Sequence, residues 1–163
     1  LSPLPLLVGE ARMSLASPAW RGTLVQAGSS VGVVGLSGRL GSEALAASLP
    51  VNAIDFESAD IRFRDGVCAT AAGTVRVEPR ATVAGMATLG QLTGALRCDG
   101  EAVLAPLVSG SARERVDLRL FGDGRYSLTL VVKADDPATA AVLTANGFVA
   151  TTDGLTMTTE GSF

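Results

Sequence analysis

The sequence contains no histidine, which removes the commonest general base and the commonest metal ligand at neutral pH. Serine–histidine and cysteine–histidine catalysis are excluded with it. Lysine is nearly absent: Lys133 stands alone against twelve arginines, and the residue three positions before it is Leu130, so no Ser-x-x-Lys nucleophile exists. Aromatic residues make up 4%, with Trp20 and Tyr126 the single tryptophan and tyrosine, a poor supply for stacking a sugar between two catalytic carboxylates. No run of eighteen apolar residues occurs. The opening Leu1–Val8 carries two prolines and no preceding basic stretch, so it reads neither as a membrane span nor as a signal peptide. The chain opens on leucine and not methionine, and an upstream segment is therefore expected to precede it.

What remains is a chain of 163 residues, 47% apolar and 18% charged, with a net charge of −3. That is enough apolar matter for one folded domain, and the acidic balance argues against a nucleic-acid partner. The 19 glycines and 7 prolines imply many turns between short extended segments, which disfavours a helical bundle. No charge block, serine-rich linker or internal repeat marks a boundary, so residues 1–163 read as one β-rich domain. Three of the seven prolines fall within residues 1–20, which are expected to run as an edge strand or an extended arm.

Alternation of apolar and polar residues is clearest between Arg115 and Lys133. Val116, Leu118 and Leu120 alternate with Arg115, Asp117 and Arg119; Tyr126, Leu128, Leu130 and Val132 then alternate with Ser127, Thr129 and Lys133. The glycine-rich break at Phe121–Arg125 makes the pair a β-hairpin. Shorter strands are predicted at Thr23–Gln26, Val31–Val34, Asp60–Arg64, Thr74–Glu78 and Leu92–Cys98. A closing strand over Leu155–Glu160 follows the turn signal Asp153-Gly154. Two helices are expected. The first runs through Ala138–Ala145, with an acidic cap at Asp135-Asp136, Pro137 at its first position and Asn146-Gly147 beyond its end; the second covers Ser42–Ser48.

The candidate functional residues each have a duller structural reading. Gly32, Gly35, Gly38 and Gly41 match neither dinucleotide nor P-loop spacing and read as turn glycines between short strands. Gly35-Leu36-Ser37-Gly38 falls one residue short of a nucleophile elbow. Asp99 with Glu101 reads as a turn around Gly100, and Asp135-Asp136 as a helix cap; Asp99, Glu101 and Asp123 are calcium candidates without EF-hand spacing. Arg113, Arg115 and Arg119 carry enough charge for an anion, but interspersed Glu114 and Asp117 make a solvated strand face the simpler reading. Cys68 and Cys98 are too few for structural zinc. They form one disulfide, worth about 3 to 4 kcal/mol by loop closure, or else are two unrelated buried thiols.

The order of motifs in the second half carries more than any one of them. Cys68–Val75, Leu92–Gly100, Val116–Tyr126, Asn146-Gly147-Phe148, Asp153-Gly154-Leu155 and the terminal Glu160–Phe163 follow one another in a sequence that resembles the type II secretion system protein N family. The likeness covers residues 60–163 well and the first 60 loosely, chiefly through Gly35–Leu40. The resemblance implies a periplasmic domain behind a single N-terminal transmembrane anchor that is not in this chain, and a disulfide between Cys68 and Cys98, which match paired positions of the family. It further implies a non-enzymatic accessory part of the machinery that moves folded proteins across the outer membrane. No catalytic residue, metal or cofactor comes with it. The implied partners are inner-membrane platform proteins and the outer-membrane secretin. The implied fold is mainly β, a twisted or rolled antiparallel sheet with one or two short helices. A lipid-binding or lipid-bridging β-groove is the alternative, and a periplasmic enzyme working through paired carboxylates a third.

Overall fold

A computed structural model describes residues 9–44, 51–80 and 90–163. The described chain forms one open antiparallel sheet of twelve strands with a single α-helix. In chain order the strands are β1 (Ala11–Ala16), β2 (Trp20–Ala27), β3 (Ser30–Gly41), β4 (Val51–Arg64), β5 (Val67–Pro79), β6 (Leu92–Ala95), β7 (Arg97–Asp99), β8 (Ala102–Ser109), β9 (Glu114–Leu120) and β10 (Arg125–Val132). Helix α1 (Pro137–Ala145) leads to β11 (Val149–Thr151) and β12 (Gly154–Ser162). Spatial order follows chain order except at the far end, where β12 lies between β10 and β11, and at β7, which shares β8 with β6.

The hairpin expected between Arg115 and Lys133 is β9 and β10, in register from Tyr126 opposite Leu120 to Val132 opposite Glu114. Every second side chain on these strands is apolar, so one sheet face is committed to the interior. That face carries the core: Val103, Ala105 and Leu107 of β8 meet Leu118 and Val116 of β9, then Tyr126, Leu128 and Leu130 of β10 and Leu155 of β12. A sheet of this many strands curls under its own twist, and α1 adds cover, with Leu143 and Phe148 in the same cluster.

Helix α1 forms as its ends dictate. Asp136 takes an extended conformation and accepts from the Thr139 N–H at 2.8 Å, with Pro137 following it. The expected second helix is present only as a 3-10 turn over Ser42–Ala44; residues 45–50 lie outside the described residues.

Several expected strands are longer in the structure. Thr23–Gln26, Val31–Val34, Asp60–Arg64 and Thr74–Glu78 are pieces of β2, β3, β4 and β5, whereas Leu92–Cys98 divides into β6 and β7 at Leu96. Gly32, Gly35, Gly38 and Gly41 are therefore not turn glycines between short strands: all four lie within the twelve-residue β3. Gly35 (φ 62°) and Gly38 (φ 116°) adopt left-handed conformations where the β3–β4 register shifts, so they serve β-bulges. Polar pins hold the bulges, with the Gly35 N–H donating to Asp60 at 2.7 Å and the Ser58 N–H to the Ser37 hydroxyl at 3.1 Å.

Candidate functional site

Cys68 and Cys98 are joined by a disulfide, with Cα atoms 5.7 Å apart. Its position follows from the ladder. β5 pairs with β6 from Thr74 to Val77, while its first half, Val67–Gly73, has only two backbone hydrogen bonds toward that side. These run from the Cys68 N–H to the Glu101 carbonyl and from the Leu96 N–H to the Gly73 carbonyl, each 2.9 Å. The disulfide closes this weakly paired seam and joins two rows of side chains into one. Ala11, Gln26, Val31, Phe63 and Cys68 lie opposite one another across β1 to β5. Cys98, Val103, Leu120, Tyr126 and Gly161 continue across β7 to β12.

The other candidates are dispersed. Asp99 accepts from the Arg119 Nε at 2.9 Å. Asp123 accepts from the Arg125 Nε at 2.6 Å, and this hydrogen bond holds its carboxyl below the ordinary range. Glu101 meets the site through its backbone carbonyl to Cys68. Among the described residues, no group of three or more acidic or cysteine side chains gathers as a metal cage. Arg113 pairs with Asp135, Arg115 with Asp117 at 3.4 Å and Arg119 with Asp99, so this basic run is matched by carboxylates one for one. Exposed pairs of this kind orient side chains and add little stability.

What the sheet leaves open is its first edge. Among the described residues β1 has a neighbour only on its β2 side, and five of its six residues are exposed. The row Met13, Leu24, Val33, Ile61 and Ala71 runs from that edge into the core. Met13 remains 55% and Val31 45% exposed, so the apolar face continues past the point where α1 covers it. At the opposite side β11 covers only Gly154–Thr156 of β12, leaving Met157–Ser162 as a second edge. Of residues 1–20, expected to run as an edge strand or an extended arm, Ala11–Ala16 form the edge strand β1. The second edge leaves no signal in the sequence, since Val149–Thr151 are too short for a period to show.

No helix among the described residues is long and apolar enough to cross a membrane. No curated protein and no solved structure matches the chain significantly. The family model for protein N of the type II secretion system matches residues 1–158, which takes in the disulfide, the bulged strands and the first edge alike. With nearly its whole length matched, the chain belongs to the type II secretion system protein N family.

Proposed function

We propose that residues 1–163 form a single periplasmic domain of an inner-membrane-anchored, non-enzymatic component that assists export of folded proteins by binding other secretion proteins. Family membership supports an accessory role in type II secretion and interaction with other components of that system. The observation that carries the finer reading is the β1 edge, which no described strand pairs and whose backbone groups there offer an incoming strand a ladder partner. An added strand would also cover Met13 and extend the apolar row that starts there. The partners proposed are inner-membrane platform proteins and the outer-membrane secretin.

Successive residues of a strand direct their N–H groups to opposite sides. Of the variants Met13→Pro and Ser14→Pro, one therefore removes a donor from the open edge and the other a donor to β2. Co-precipitation with platform proteins and the secretin is expected to fall at least tenfold in the first with an unchanged melting temperature. Equal partner binding by wild type and both folded variants would sink the reading.

The exposed apolar face of β1–β3 favours a second reading, a lipid-binding or lipid-bridging groove. Native mass spectrometry of the purified domain separates the two, since a retained acyl lipid would put this reading first.

A further inference from the structure

On the sheet face opposite the core, the tip of the β2–β3 hairpin and the end of β4 enclose a cleft of about 350 Å³. Its lining includes Arg62 and Arg64 of β4, Gln26 of β2 and Ser29 and Ser30 at the hairpin tip. The strand period puts Arg62 and Arg64 on one face with Cα atoms about 6 to 7 Å apart. Neither guanidinium has a carboxylate within ion-pair distance among the described residues, although Arg12, Arg39, Arg76, Arg113, Arg115, Arg119 and Arg125 all do. The one acid at the cleft, Glu10, is held by Arg12 at 3.0 Å. Two cations without counter-ions therefore face a concave, largely polar space.

The backbone is arranged around that space. Val25, Gly32 and Arg62 are direct ladder partners on this face. A Cβ at position 32 would lie 2.2 Å from the Ile61 carbonyl oxygen and 2.8 Å from the Cα and Cγ of Arg62, so glycine lets the β4 backbone and the arginine stem approach β3 this closely. Val25 beneath is 3% exposed. The Asp65 N–H donates to the Ser29 carbonyl at 3.2 Å and ties the β2–β3 turn to the β4–β5 turn. This places the serine hydroxyls beside the arginines before any ligand arrives, which lowers the ordering cost of binding.

We propose that this cleft binds a phosphoryl group. Paired guanidinium forks match the oxygens of a tetrahedral anion bidentately, and hydroxyl donors from Ser29 and Ser30 complete the shell. The same chemistry is offered by a soluble phosphate ester and by the headgroup of an anionic phospholipid.

The test uses the disulfide-bonded protein, ¹⁵N-labelled and titrated with inorganic phosphate against chloride at matched ionic strength. The Ser29 and Ser30 amides and the Arg62 Nε–H are expected to shift saturably with phosphate and not with chloride. Arg62→Gln or Arg64→Gln should weaken binding at least tenfold. Sedimentation with phosphatidylglycerol vesicles identifies the source. Retention that phosphate competes away assigns a lipid headgroup, and saturation by phosphate without retention assigns a soluble ester; both support the site. Shifts that follow ionic strength alone, or that persist in the folded double variant Arg62→Gln/Arg64→Gln, overturn it.

Discussion

The backbone N–H of Phe148 donates to the carbonyl of Leu143 at 3.1 Å, and their side chains are both in the core at 2% and 1% exposure. With the Gly147 N–H on the Thr144 carbonyl at 3.1 Å and Gly147 at φ 93°, this is a Schellman ending with its hydrophobic pair. One motif thus stops the helix and docks it on the sheet. Phe148→Ala is expected to destabilise the fold by about 3 to 5 kcal/mol, read as a lower denaturation midpoint. A loss below 1 kcal/mol would mean that the helix is not part of the cooperative core.

Position 161 constrains Tyr126 in a different way. The two residues are opposite each other in the β10–β12 ladder, and a Cβ at 161 would lie 2.5 Å from the tyrosine Oη and 2.6 Å from its Cζ. Tyr126 is buried and has no room to swing aside. Gly161→Ala should therefore cost about 1 to 3 kcal/mol through overpacking, and Gly161→Ala combined with Tyr126→Phe should recover part of it in a double-mutant cycle.

The disulfide supplies a third expectation. It closes a separation of 30 residues, for which loop-closure entropy gives about 3 to 4 kcal/mol. Reduction, or the double variant Cys68→Ala/Cys98→Ala, should lower the urea midpoint by a corresponding amount. Amide exchange should rise first at Cys68 and Leu96, whose N–H groups bridge the seam.

The helix cap predicts a pH dependence. Hydrogen bonds from the Thr139 backbone and hydroxyl stabilise the ionised Asp136 and hold its pKa below 3.8. A carboxyl whose folded pKa is depressed stabilises the fold above its unfolded pKa, and that contribution fades as pH falls through the folded value. The stability gap between wild type and Asp136→Ala should thus be constant from pH 7 to about 5 and close below pH 3.8. A gap that does not narrow as pH falls below 3.8 would assign the effect to something other than charge.

Much of this architecture is written in local signals. β9 and β10 are half-buried and keep a strict period of two, and α1 has a capping aspartate, an N-terminal proline and a following glycine, so both are legible. β3, β4 and β5 read as fragments because bulges at Gly35, Gly38 and Ser58–Ala59 shift the alternation from one face to the other. β8 leaves no such signal in the sequence. It is buried on both faces, so Ala102–Ser109 shows no alternation, and Pro106 argues against a central strand. The proline is tolerated because the ladder on that side skips residues 105–107, between the β6 pairs at 108–109 and the β7 pairs at 102–104. The arginine cleft was out of reach of the sequence, since Ser29 and Arg62 become neighbours only through the pairing of β3 with β4.

The near-sequential strand order bears on how the protein acquires its shape. From β1 to β6, and again from β8 to β10, each strand's partner is the next one in the chain. Closing such loops costs little entropy, so contact order is low for an all-β protein and pairing can advance as a zipper. β8 passes over the short β7 to reach β6, and β12 must pass over β11 and α1 to reach β10. The longest-range closure at this end is thus β12 on β10, and it is β12 that covers the β10 border which β9 leaves open.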